Sequence, residues 1–327
     1  MGVPCVVVDR TEGEATRQEL AAAGLLDREH AITTDDDRLY LPVTDPAAVP
    51  AAYTVVERSV PERDHPSTPA DHLAFQPTYE RIGDVIVIDE DDPERAQDAA
   101  EAIVASDLSA DAVLNRASKV SGEFRTRAYD RLVGDTTETV HREYGYAYAV
   151  DLEAVYFTPR LATERHRVTE QIASGEHVLD MFAGVGPYAI PAADRGATVV
   201  AVDKNPTAIE YLRANAERNG VADRITAIAA DVREVTAEYA DWADRIVMNL
   251  PHSADAFLPT ACTLASDECT LHYYDIQHED DPFGPGRAAI TTAADEAGYA
   301  VSIATERVVR SYAPHELNVC LDARLRR

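Results

Sequence analysis

Three short runs combine residue types that can hold and react small groups. The run "LDMFAGVGPYAI" (179–190) follows an apolar segment and carries Gly184 and Gly186, whose missing Cβ lets the backbone turn tightly and approach a ligand. Asp203 lies 203 − 184 = 19 positions past the first glycine and ends a second apolar run, "TVVAVD". A carboxylate at that spacing can accept both ribose hydroxyls of a nucleoside. Asp231, in "AADVRE", ends a third such run, and "RIVMNLPHSADAF" (245–257) delivers Asn249-Leu250-Pro251 at the end of a fourth. Taken singly, the tripeptide reads as a strand terminator. Four ends aligned on one sheet edge read instead as a ligand site, because open α/β sheets bind ligands along their carboxyl edge.

The elements that must position these groups follow from the pattern. From about residue 160, short apolar runs ("HVLDMF", "TVVAVD", "ITAIAA", "RIVMNL", "TLHYYDI") alternate with helical stretches such as "NPTAIEYLRANAERNG", opened by Asn205-Pro206 and closed at Gly220. This predicts a doubly wound, mostly parallel sheet. Upstream, "PCVVVDR", "RLYLPV" and "YTVVERSV" read as strands, and "TEGEATRQELAAAGLL" as a helix capped after Thr11. This small α/β unit is expected over 1–60, with a linker at the proline-rich, charged 61–72. A middle α+β domain is expected over 73–155, with strand "DVIVID", a helix capped by Asp92 and paired strands in "TTETVHREYGYAYAVDLEAVYFTP". The parallel-sheet domain then spans 156–327.

The chain has 327 residues and a formal charge of −28, with only two lysines, Lys119 and Lys204, among its 30 basic residues. Acid excess with near-absent lysine matches the habit of salt-loving proteomes, where the charge reports the solvent rather than the ligand; at 1 M salt the Debye length is only about 3 Å. Otherwise so acidic a chain would argue against a phosphate-bearing partner. Against that background the middle segment carries a basic island, Arg116, Lys119, Arg125, Arg127, Arg131 and Arg142. It reads equally as a balanced solvated face or as a surface for phosphate or an electron-rich base. Cys5, Cys262, Cys269 and Cys320 lie at no metal-knuckle spacing, so no metal is expected, and dispersed cysteines fit a reducing cytoplasm. No run approaches a membrane span, and no export signal opens the chain.

The ligand is thus a nucleotide of some kind. Gly184-x-Gly186-x-x-Ala189 also fits a dinucleotide loop, which keeps an NAD-dependent oxidoreductase open. Asp180 before the loop, Asp231 after the third strand and Asn249-Leu250-Pro251 after the fourth favour S-adenosylmethionine.

The order D-x-F-x-G-x-G, D, D, N-L-P resembles a class I methyltransferase. Together with "HREYG", "VYFTPRLATERHRV", "VDKNPTAIEYLRAN", "MNLPHSADAF" and "RSYAPHE", it resembles the archaeal and eukaryotic type of tRNA (guanine-37-N1)-methyltransferase over most of the chain. The resemblance implies a class I, Rossmann-like C-terminal sheet, S-adenosylmethionine as methyl donor and tRNA as partner. It implies that Glu164 removes the guanine N1 proton, that Arg125 or Arg127 stabilises charge on O6, and that Asn249 and Pro251 seat the base. Tyr156 and Phe157, with Arg127 and Arg142, are expected to contact the substrate. Arg160 and Arg165 are expected near the donor's carboxylate end; Phe182, Gly184, Gly186, Asp203, Lys204, Asp231 and Val232, with Asn249, complete the donor site. The target base would leave its stack, and the N-terminal domain would touch the tRNA's outer corner. A monomer is expected. The nearest rivals act on a wyosine precursor at tRNA position 37, by methyl or aminocarboxypropyl transfer.

Overall fold

The computed structural model describes residues 2–63, 66–120 and 122–327. The chain forms two compact units, Met1–Thr68 and Pro69–Arg327. In the first, strands Thr33–Asp35, Arg38–Pro42, Val3–Asp9 and Thr54–Arg58 lie side by side in that order, the neighbouring strands antiparallel. Val6, Val8, Leu20, Leu41 and Val43 form its core, with Leu20 from the helix Gly13–Ala22. That helix starts later than expected and lacks a side-chain cap. Turn bonds from Glu12 N to Asp9 O and from Gly13 N to Arg10 O lead into it instead. The predicted linker begins as paired chain, since Arg63 N bonds Glu29 O and Ala31 N bonds Pro61 O; its residues 64 and 65 lie outside the described set.

The second unit holds a seven-stranded sheet. Its order is Ile225–Ala229, Thr198–Asp203, His177–Asp180, Ala243–Met248, Ala265–His278, Glu316–Arg326, Ala300–Ala313. The first five are parallel, and Glu316–Arg326 is antiparallel to both its neighbours. This is the expected doubly wound sheet, finished by a hairpin. Both faces are covered, which explains the unbroken apolar runs. Leu179, Val200 and Val202 face one core, and Val178, Val199 and Ala201 the other. Helix Pro206–Arg218 is capped by Asn205, whose side chain accepts from Thr207 N, and Gly220 follows it at φ +72°.

The 73–155 segment contributes its own sheet, Tyr79–Ile82, Val85–Ile88, Ala112–Arg116 and Tyr129–Val133, and the hairpin of Glu138–Glu143 with Tyr146–Asp151. Asp92 caps helix Pro93–Ala105 through Glu94 N and Arg95 N. This segment packs with the large sheet rather than standing apart. Val85, Val87, Leu114, Tyr148 and Val150 share one core with Val178, Val199 and Leu212.

Candidate active site

A cavity of about 430 Å³ opens at the carboxyl edge of the large sheet. Successive strand ends deliver its wall. Phe182 and Gly184 follow the His177–Asp180 strand, Asp203 and Lys204 follow the second, Asp231 and Val232 the third, and Asn249, Leu250 and Pro251 the fourth. Tyr156, Phe157 and Thr158 close one side, and the loop Gly122–Arg125 another.

The glycine loop is held in place by Asp203, whose Oδ2 accepts from Gly184 N at 2.7 Å and whose Oδ1 accepts from Asn205 N at 2.9 Å. Gly184 has φ +52°, and a Cβ there would meet nothing nearer than Tyr156 O at 3.9 Å, so the position opens onto free space. Gly186 has φ +93° and would press Ile190 and Leu212 at 3.1 Å; it shapes the turn without lining the cavity. Behind the loop, Asp180 is 1% exposed and neither carboxylate oxygen has a hydrogen-bond partner. Burial pushes its pKa up to about 7; the Phe182 backbone N–H pulls the other way, and the Asp203 charge adds to the rise. Burial raises Asp203 as well. Arg233 bonds Asp231 at 2.5 Å and Lys204 lies 3.2 Å from it, which holds Asp231 well below the usual carboxylate range. Lys204 also pairs with Glu123.

Asn249 is half-buried, and its side-chain amide bonds no other described residue, so its donors and acceptor are free for a ligand. Phe182 meets Phe257 edge to face at 5.0 Å. Arg125 adopts a left-handed backbone, φ +54°, at a cost of about 1 kcal/mol. Its guanidinium lies 5.6 Å from the Tyr156 ring centre, and no described carboxylate pairs with it.

Similarity searches place this geometry. Residues 139–302 match the TRM5/TYW2 methyltransferase domain, and residues 5–51 match the tRNA methyltransferase 5 N-terminal domain. The chain is 37% identical to tRNA (guanine(37)-N(1))-methyltransferase Trm5b of Pyrococcus abyssi over 98% of both chains. This chain belongs to the Trm5/TYW2 family. The crystal structure of that P. abyssi protein aligns at TM-score 0.79 and 36% identity, over 99% of this chain and 100% of the other. A solved complex of aTrm5 and tRNALeu aligns at TM-score 0.72 and 29% identity, over 99% of each. A tRNA(Phe) (4-demethylwyosine(37)-C(7)) aminocarboxypropyltransferase of Methanocaldococcus jannaschii is 32% identical, over 76% of this chain and 98% of its own.

In this Trm5/TYW2 chain several expected site residues fall elsewhere than the cavity wall. Arg160 lies in a second, smaller cavity of about 110 Å³ and pairs with Glu80 at 2.9 Å. Arg127 lines only that smaller cavity, whereas Arg125 lines both. Arg142 is exposed on its hairpin and lines neither. Arg165 does line the large cavity, but its fork is committed to Glu143 at 2.5 and 2.7 Å and to Thr158 O.

Glu164 is 3% exposed and also lines neither cavity. Arg167 grips both its oxygens, Arg307 lies 3.2 Å from Oε2, and Tyr274 donates to Oε1 at 3.0 Å. Tyr188, on the cavity wall, donates to Tyr274 at 2.9 Å. Burial keeps both phenols protonated. Arg167 continues to Asp322 at 2.6 Å, Asp322 to His272 Nδ1 at 2.6 Å, His272 Nε2 to Arg245 at 2.8 Å, and Arg245 to Glu176 at 2.8 Å. Burial holds His272 neutral, so its Nδ1–H donates to Asp322 and its Nε2 accepts from Arg245. His272, Cys320 and Asp322 cluster closely enough to hold a metal. The guanidinium groups of Arg167 and Arg245 already occupy their lone pairs, which disfavours a cation there.

Motif reading missed this buried chain, because Arg245, His272 and Asp322 come from three strands apart in sequence that only the fold sets side by side. It also missed Asn318, Tyr188 and Leu161 on the wall. Arg310 and Tyr312 belong to the quoted "RSYAPHE", and both line the cavity.

Proposed function

We propose that this chain transfers the methyl group of S-adenosylmethionine to N1 of guanine 37 in the tRNA anticodon loop. One observation carries the reading: a single cavity joins the Gly184–Asp203 corner to Asn249-Leu250-Pro251, in a chain aligned end to end with a tRNA (guanine(37)-N(1))-methyltransferase. The donor set suits a positively charged nucleoside. Asp203 accepts from ribose hydroxyls, Asp231 and Val232 frame the adenine with Lys204 beside them, and Gly184 leaves room. S-adenosylmethionine, when bound, supplies a methyl group on a cationic sulfur.

The remaining work belongs to the chain's own residues. Asn249 offers donor and acceptor to the base edge, Pro251 stiffens the turn, and Tyr156 and Phe157 wall the ring. N1 of guanine carries a proton and has no free lone pair for attack, so a base must take that proton as the methyl moves. Glu164 fills the role in this proposal. It lies on the helical turn between the wall residues Leu161 and Arg165, and its carboxylate must swing from Tyr274 toward the cavity. Arg125, which faces both cavities and has no carboxylate partner, takes the O6 charge. The target base leaves its stack to enter, the N-terminal unit contacts the tRNA body, and the enzyme acts as a cytoplasmic monomer.

Aminocarboxypropyl transfer is the second reading, supported by the family's TYW2 members. The relative of that activity matches 76% of this chain, against 98% for Trm5b, which favours methyl transfer. Incubation of labelled S-adenosylmethionine with an unmodified guanine-37 transcript at high salt, followed by nucleoside analysis, tests the proposal. Label in 1-methylguanosine supports it. Label in another nucleoside, or an aminocarboxypropyl product, rejects it.

A further inference from the structure

We infer that Asn318 recognises the exocyclic amino group of the target guanine, a specificity role that rests on the proposed methyl transfer to that base. Asn318 is 3% exposed, lines the large cavity, and its Oδ1 is a buried acceptor without a donor among the described residues. Its register partner across the final hairpin is Arg310, which lines the same cavity and whose buried Nε lacks an acceptor. A donor and an acceptor therefore sit as cross-strand neighbours, each without a partner among the described residues. Buried polar groups rarely stay unpaired, so such a pair marks a place where a ligand completes the bonding.

Strand order says which ligand. The nucleoside end of the cavity is built by the strands ending at Asp203 and Asp180. Asn249 follows on the next strand, and Asn318 stands two strands beyond Asn249. That is the acceptor end, past the point where the methyl group is delivered. Guanine presents a carbonyl acceptor and an amino donor on either side of N1. Arg310 can donate to the first alongside Arg125, since a carbonyl oxygen has two lone pairs, and Asn318 can accept from the second, leaving N1 between them.

Hypoxanthine keeps O6 and the N1 proton and lacks only the amino group, so transcripts carrying guanosine or inosine at position 37 isolate the contact. With wild-type enzyme, inosine should lower kcat/KM about tenfold or more, because a site built for a hydrogen bond rejects an analogue that leaves it unpaired. Asn318→Ala should be slower on guanosine and nearly indifferent between the two bases, while its affinity for S-adenosylmethionine stays at the wild-type value. Asn318→Asp, which keeps the acceptor, should retain the preference for guanosine; loss of preference there would overturn the assignment. An inosine penalty of equal size in wild type and Asn318→Ala, no penalty in wild type, or weakened donor binding with discrimination intact would each overturn it too. Wild-type enzyme that leaves a guanosine-37 transcript unmethylated would instead take down the reading on which the inference stands.

Discussion

Arg167 sets its guanidinium fork squarely on Glu164, Nε to Oε2 at 2.9 Å and Nη2 to Oε1 at 2.7 Å, while its Nη1 reaches Asp322 at 2.6 Å. One arginine thus ties the proposed proton acceptor to the antiparallel strand Glu316–Arg326, next to the edge of the sheet. The bidentate geometry is of the strong kind. Glu164→Gln keeps the volume and removes the base. We expect donor affinity to hold while kcat falls about 100-fold or more. Unchanged single-turnover rates would remove Glu164 from the chemistry.

Breaking the tie one link further back should cost stability. Asp322→Ala leaves Arg167 and His272 without their shared acceptor inside the protein. Removing one partner of a buried pair typically costs about 3–5 kcal/mol. Burial alone would raise the pKa of Asp322, but the bonds from His272 and Arg167 outweigh it and hold the carboxylate well below its ordinary range. Its contribution is therefore present above about pH 4 and fades as pH falls through the depressed folded value. Urea titrations from pH 2 to 5 should show the acid loss in wild type and a flatter profile in the variant.

Asp180 should titrate the other way. With its folded pKa raised to about 7, the native protein holds a proton that the unfolded chain releases near pH 4. Stability then declines as pH climbs from about 4 to 7. Asp180→Asn should make that slope shallower in denaturant midpoints. An unaltered slope would show that Asp180 is ionised throughout the range.

The two loop glycines should fail differently. Alanine at Gly186 must take φ +93° and crowd Ile190 and Leu212, so it should lower the melting temperature. Alanine at Gly184 meets open space. It should cost about 1–2 kcal/mol in backbone strain and act mainly by weakening the donor, which calorimetry with S-adenosylmethionine would measure.

Asn249→Ala should reduce kcat on tRNA about tenfold or more while donor affinity changes little, since its amide bonds no other described residue. Equal losses in donor binding and turnover would reassign it to the donor.

The parallel sheet was legible because strands covered on both faces must be apolar throughout, and because Asn205-Pro206 and Asp92 are local signals for local structure. Asp203, Asp231 and Asn249 were legible for the same reason: each ends an apolar run. The Arg160–Glu80 pair was not legible, because the chemistry of a side chain does not say which way it leaves a turn, and Glu80 stands eighty residues earlier. Asn318 and the His272–Asp322 link were invisible because their meaning depends on which strands become neighbours. A hairpin inserted between the fifth strand and the edge leaves no mark at any single position. The late start of the first helix reflects a turn closed by backbone bonds, which needs no capping side chain.

The two cavities share a partition: Arg125, Tyr156, Phe157, Thr158 and Arg310 line both. A substitution at any of these five alters both chambers at once, so mutation cannot tune one of them in isolation there. Independent adaptation is confined to residues that touch a single chamber, such as Phe182 and Val232 on one side or Ile82 and Tyr129 on the other. Drift between related enzymes should therefore run fastest in those outer walls and slowest in the partition.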